Sequence, residues 1–253
     1  MKQRYDLIDT LRGLTGISMI LYHACWIMNH FGLVITTEQL YGPAFIAWER
    51  SICMSFIIIS GFSFSYGKHH IKSGIILFLL GALITAVTLI FVPDIRIVFG
   101  ILTFLGSATL MMIPFDKIMK GTIGWSVAAK VMVLVIFVAA FIITYKINTG
   151  YLTVPFGTRI ELPHSLYKGY IATYFGFMEP GFASADYFPI LPWVFLYLSG
   201  YFLNKLISGT KSEQSVLRKG IPGIRAMGRR SLLIYLVHPI VLYILIYLIA
   251  RRR

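Results

Sequence analysis

Seven apolar stretches, each near the length of a bilayer crossing, dominate the 253-residue chain, at about 11–29, 43–66, 72–92, 97–113, 126–145, 189–207 and 231–250. A helix needs roughly 20 apolar residues to cross the hydrocarbon core, and the fourth stretch is the short one. The runs are filled by Leu, Ile and Phe without the alternation of barrel strands, so they predict helices. What remains cannot cover a soluble fold: 13% of residues are charged and 57% hydrophobic, where soluble domains carry about 25% charged residues. A soluble enzyme, a disordered tail and a disulfide-stapled module are excluded. Cys25 and Cys53 lie inside apolar runs and read as packing thiols, so no metal site is expected. Arg12 opens a run that leads to His23 and Asn29 without a small-residue cleavage site, which does not fit a cleaved signal peptide. The expected fold is an all-α integral membrane protein. It would be a single polytopic domain over 1–253, with about seven transmembrane helices around a central cavity and no internal repeat.

Orientation follows from lysine and arginine. With the N-terminus in the cytoplasm, the inner segments hold fourteen of them: Lys2, Arg4, Arg12, Lys68, Lys72, Lys117, Lys120, Lys205, Lys211, Arg218, Lys219, Arg225, Arg229 and Arg230. The outer loops hold four, Arg96, Lys146, Arg159 and Lys168. The net charge of +13 is therefore mostly topological, and nucleic acid is not an expected partner. Seven crossings leave Arg251, Arg252 and Arg253 outside, against the bias; either the tail is an interfacial anchor or the span count is off by one. The long outer segment 146–188 carries Pro155, Pro163 and Pro180, and a short helix is expected within 163–178. It reads equally as an interfacial cover and as a substrate lid.

Ionisable groups inside spans are costly and raise a functional hypothesis by default. Eleven helical steps of about 100° bring His23 back to within about 20° of Arg12, some 16 Å further along the axis. Asp9 shares that stripe. The first span thus carries a cation at its inner end and an imidazole toward its outer end. A guanidinium suits phosphate or carboxylate, and an imidazole suits proton transfer or nucleophilic attack. A long phosphorylated donor could anchor at Arg12 and deliver its reactive end to His23. The plainer readings are a snorkelling anchor and a carbonyl-bonded histidine.

Arg50 enters the second span from outside, at the depth of His23, and faces either the cavity or an interfacial partner beside Glu49. Asp186 precedes the sixth span at that outer level, as an imidazole partner or a helix N-cap before Pro189. His30 lies seven residues beyond His23 and could join the site. His238, followed by Pro239, lies inside the seventh span, where a buried histidine needs a partner or a cavity. No GxSxG, HExxH, Walker loop or paired CxxC occurs.

Asp9-Thr-Leu-Arg12-Gly-Leu, Leu-Tyr-His23 and Asn29-His-Phe-Gly32 together resemble the start of the heparan-α-glucosaminide N-acetyltransferase catalytic-domain family in its small bacterial form. Phe99-Gly-Ile-Leu102, Ala185-Asp-Tyr-Phe-Pro-Ile-Leu-Pro-Trp193 and Gly228-Arg-Arg-Ser-Leu-Leu-Ile-Tyr-Leu-Val-His238 continue the likeness in order over nearly the whole chain. The Arg12-to-His23 spacing is also similar to that of the wider transmembrane acyltransferases of bacterial envelope glycans. One departure is Thr103, where bacterial relatives commonly carry a histidine.

The resemblance implies a plasma-membrane acetyltransferase that moves an acetyl group from cytosolic acetyl-CoA, its co-substrate, to an amine or hydroxyl of an extracytoplasmic glycan or amino sugar. Arg12, Lys68, Arg229 and Arg230 would hold the CoA phosphates, with His238 grouped on that donor side. His23 would be the base or acyl-accepting nucleophile, with Arg50 and Asp186 positioning acceptor and imidazole, and His30 and His238 its competitors. The expected partners are the bilayer, the donor, a sugar acceptor and a second copy of the chain in a homodimer. A transporter, or a non-catalytic partner in glycan export, is the alternative; a transporter would be expected to show repeats or broken helices.

Overall fold

The computed structural model describes residues 5–119, 124–154 and 157–252. Lys2, Arg4, Lys120, Pro155 and Arg253, which enter the charge and loop readings, lie outside them. In chain order the helices are α1 (Asp6–His30), α2 (Thr37–Leu40), α3 (Pro43–Phe64), α4 (His70–Phe91), α5 (Ile101–Met119) and α6 (Val127–Thr144). A two-stranded hairpin, β1 (Tyr151–Thr153) and β2 (Arg159–Glu161), precedes α7 (Gly169–Phe175) and α8 (Ile190–Ile207). Then come α9 (Lys211–Val216), α10 (Pro222–Arg229) and α11 (Ser231–Ala250).

Six of these, α3, α4, α5, α6, α8 and α11, are long and apolar enough to cross a membrane. The chain is an all-α, multi-pass membrane protein. The expected first span, α1, has the length but falls short in apolarity, because Arg12, Tyr22 and His23 interrupt its apolar residues. Side chains such as Leu79, Ile90, Val135 and Ile240 are more than half exposed. Hydrocarbon, not water, suits such a surface.

Two compact units make up the chain, Met1–Ile59 with Ile207–Arg253, and Ser60–Leu206. In the first, α10 lies against the N-terminal half of α1. Pro222 opens α10 in its first turn after the extended Ile221, as a proline without an N–H can. Two glycines allow the close crossing: a Cβ on Gly13 would overlap the Ile224 carbonyl, and one on Gly228 would overlap the Asp9 carbonyl. Leu7 N donates to Leu217 O at 3.1 Å and Ile221 N to Thr10 Oγ1 at 3.1 Å, fixing the register. Gly228→Ala is therefore expected to force the helices apart and lower stability by about 1–3 kcal/mol. Gly223→Ala, with nothing within 4 Å, is expected to leave stability unchanged or slightly raised. Thermal unfolding of the two variants in detergent checks both.

In the second unit α4 and α5 pack through small residues, as membrane helices do when they lack a hydrophobic drive toward each other. Gly74 and Gly81 of α4 and Gly106 of α5 stand where a Cβ would meet the opposing helix. Thr103 fills the space opposite Gly81 and is buried. The fourth apolar run was expected at 97–113; the helix runs from Ile101 to Met119. Residues before Ile101 are committed elsewhere: Val98 N donates to Ser184 Oγ at 2.9 Å, Ala185 N to Arg96 O at 2.9 Å, and Phe188 N to Phe99 O at 2.8 Å. Phe99 has φ of 57°, a turn that precedes the helix start. At the other end of α5, Tyr201 Oη donates to Asp116 Oδ1 at 2.5 Å, with Lys205 Nζ 3.7 Å from the same oxygen.

The expected helix within 163–178 is α7. Tyr167 Oη donates to Ile147 O, and Tyr187 Oη to Thr173 O, each at 2.6 Å. Burial pushes both phenols above their ordinary pKa, so these hydroxyls stay donors through the physiological range.

Candidate functional site: a cationic network and a histidine pair on one helix

The first turns of α1 present Asp6 and Asp9 to α10. Arg229 bridges them, with Nη2 3.2 Å from Asp6 Oδ1 and Nε 3.2 Å from Asp9 Oδ2. Arg225 pairs with Asp6, and Arg12 Nη1 reaches Asp9 Oδ1 at 3.3 Å. The Asp9 side chain is 8% exposed, a burial that a carboxylate tolerates only with such partners. Among the described residues the network sets three guanidinium groups against two carboxylates. Arg230, exposed at the end of α10, adds to it. Arg12 and Arg229, both expected on the donor side, are thus brought together through Asp9.

Eleven residues along α1, and on the same stripe, His23 meets α11. His23 Nδ1 and His238 Nε2 are 2.7 Å apart, and His238 Nδ1 is 2.8 Å from Ile234 O. The proton positions follow from the partners. A carbonyl only accepts, so His238 Nδ1 carries a proton. In the neutral ring Nε2 is then a bare lone pair and must accept from His23 Nδ1–H. That leaves Nε2 of His23 unprotonated, and it meets no hydrogen-bond partner among the described residues. Pro239 brings no N–H to the Tyr235 carbonyl, which also faces the His238 ring. The His-Pro sequence thus places a backbone acceptor beside the ring that orients His23.

Aromatic rings flank the pair. Tyr22 packs edge-on to His23 at 5.9 Å and to Trp48 at 5.6 Å, and Trp48 Nε1 donates to Ser18 Oγ at 2.7 Å, tying α3 to α1. Arg50, two residues on, is half-buried and makes no hydrogen bond or ion pair among the described residues. It and Glu49 are near enough to Tyr22 to act on its hydroxyl electrostatically. His30 is exposed and stacks on Trp26, ring centroids 6.2 Å apart and planes within 3°.

Lys68 and Asp186 belong to the other unit. Asp186 Oδ2 accepts from Ile101 N at 2.9 Å, so it caps α5. Two of the sequence blocks quoted above, 99–102 and 185–193, meet at this bond. Sequence reasoning missed the pairing of His238 with His23 and the part of Asp6 and Arg225 in the cationic network. The signal was present for the first, since a histidine within an apolar span needs a partner. Among the described residues no group of three or more His, Cys, Asp or Glu side chains is arranged to hold a metal ion.

Apolar crossing helices beside a cationic network and an imidazole pair, set apart along one helix, define a membrane protein with a two-ended polar site. The model of the family "heparan-alpha-glucosaminide N-acetyltransferase, catalytic" matches residues 4–240. The chain belongs to that family, whose function is of the membrane acetyltransferase type. No curated protein and no solved structure matches it.

Proposed function

We propose that the protein transfers an acetyl group from cytosolic acetyl-CoA to an amine or hydroxyl of an extracytoplasmic glycan or amino sugar. The observation that carries this reading is the bare Nε2 of His23, held by His238 on the helix stripe that begins in the cationic network. The N-terminus is cytoplasmic, α1 crosses the plasma membrane with the six more apolar helices, and the donor enters from the inner end. Its phosphates are drawn by the guanidinium groups of Arg12, Arg229 and Arg230. The thioester then extends along α1 toward His23, over a rise of about 16 Å.

At the outer end the acceptor N–H or O–H gives its proton to His23 Nε2 as its heteroatom attacks the thioester carbonyl. The C–S bond breaks, and the leaving thiolate takes that proton from the imidazolium. Attack by Nε2 itself, giving an acetyl-imidazole that the acceptor then opens, needs the same bare lone pair. Arg50, beside Tyr22, positions the acceptor, and His30 contributes to the acceptor side. General base catalysis is worth about 10²–10⁴-fold; the remainder comes from holding both substrates at one imidazole.

Ligand binding tests the donor half. Acetyl-CoA is expected to raise the thermal stability of the purified protein, by the linkage of ligand to the folded state, and free amino sugars alone are not. Arg12→Ala is expected to weaken acetyl-CoA by about tenfold or more, since a phosphate loses a charge-assisted hydrogen bond. The fold should survive, because Asp9 keeps Arg229. Unchanged acetyl-CoA affinity in that variant would reduce Arg12 to a topological anchor.

A further inference from the structure

An open groove of about 690 Å³ lies at the start of α4, within the second unit. Its lining changes character along the helix. Lys68, His69 and Lys72 stand at one end, and Ile71, Ile75 and Ile76 of α4 with Ile113 of α5 continue it. The two lysines are exposed and in no ion pair among the described residues. The isoleucines are exposed too: Ile71 is 61%, Ile75 44% and Ile76 41% accessible. They belong to a span that buries little of itself against the protein, so this side of α4 faces the bilayer.

We infer that the groove binds an anionic glycerophospholipid, its phosphate between Lys68 and Lys72 and the upper part of an acyl chain along Ile71, Ile75, Ile76 and Ile113. The order of chemistry along α4 matches such a molecule end to end. Charge sits at the helix start, and each turn inward of about 5.4 Å adds apolar surface. A zwitterionic lipid brings no net charge to the lysines. A soluble phosphate leaves the isoleucines uncovered and meets the lysines in water, where their attraction is screened. Basic pockets between membrane helices suit anionic headgroups in this way. The inference goes beyond the acetyl-transfer reading, and it takes Lys68 from the donor's phosphates to a lipid's.

Lipid retention by the full-length protein tests it. Protein equilibrated with equal phosphatidylglycerol and phosphatidylcholine is washed in detergent, and the retained lipid is counted by mass spectrometry. The unaltered protein is expected to keep phosphatidylglycerol in about ten- to thirtyfold preference, the scale of two basic residues near an anionic surface. K68Q/K72Q should bring the ratio close to one, and I75S/I76S, with the lysines intact, should lower total retention. An undiminished phosphatidylglycerol preference in K68Q/K72Q would overturn the site. So would displacement of the lipid from the unaltered protein by millimolar inorganic phosphate or CoA, which would mark the groove as a soluble-phosphate site. That competition needs no variant, and it leaves the acetyl-transfer reading to be judged on its own measurements.

Discussion

His23→Ala is expected to lower acetyl transfer by about 10²–10⁴-fold, the range of a lost general base, and by more if Nε2 is the nucleophile. Acetyl-CoA binding should be largely kept, because the phosphates are assigned to the network around Asp9 and Arg12, eleven or more residues away on α1. His23→Gln should fare no better. Its amide restores a hydrogen bond but has no lone pair basic enough to take a proton. Steady-state rates with saturating donor, beside acetyl-CoA affinity from thermal shift, separate the two readouts. His30→Ala serves as the competing assignment: near-normal transfer by His23→Ala with loss in His30→Ala would move the chemistry to the outer end of α1.

The second large effect is expected at His238, which acts through His23. Its Nε2 accepts from His23 Nδ1 at 2.7 Å, and this is what leaves Nε2 of His23 bare. His238→Phe keeps a ring but removes the acceptor, so His23 is free to adopt the other tautomer with its proton on Nε2. In a Ser-His-Asp triad a wrong tautomer costs about 10⁴-fold in kcat; a neutral imidazole orients less strongly than a carboxylate, so a loss of about 10² is expected here. His238→Gln, whose amide oxygen can accept from His23 Nδ1–H, should recover most of it. The fall should appear in kcat with the KM for acetyl-CoA little changed. A residue that only packs would show no rescue by glutamine over phenylalanine.

Much of this fold is legible in the sequence because a bilayer imposes a length on its helices. The runs at 43–66, 72–92, 126–145, 189–207 and 231–250 agree with α3, α4, α6, α8 and α11 to within a few residues. The alignment of Arg12 with His23 was also legible, since α1 is one helix from Asp6 to His30 and the 100° step holds along it. What escaped depends on distant partners. The early start of α1 reflects Asp6 and Asp9 bonding to Arg225 and Arg229, more than 200 residues on. The late start of α5 reflects hydrogen bonds from 98–101 to 184–188. The choice of partner for His238 is of the same kind: local pattern says that a buried imidazole needs one, and only the packing of α11 on α1 says which.

Thr103 illustrates the same limit. Where the resemblance leads one to expect a histidine, this chain has a small hydroxyl packed opposite Gly81. The imidazole beside His23 comes from α11.

In the proposed reaction acetyl passes from acetyl-CoA to an acceptor at His23. The most direct test is transfer by purified protein reconstituted in sealed vesicles, with radiolabelled acetyl-CoA on the side of the 204–230 segment and a panel of amino sugars on the other. Labelled, acetylated sugar is expected on the far side, dependent on His23 and impaired in His238→Phe. Acetyl-CoA that binds without any acetyl reaching an acceptor, or transfer that persists in His23→Ala, would contradict it.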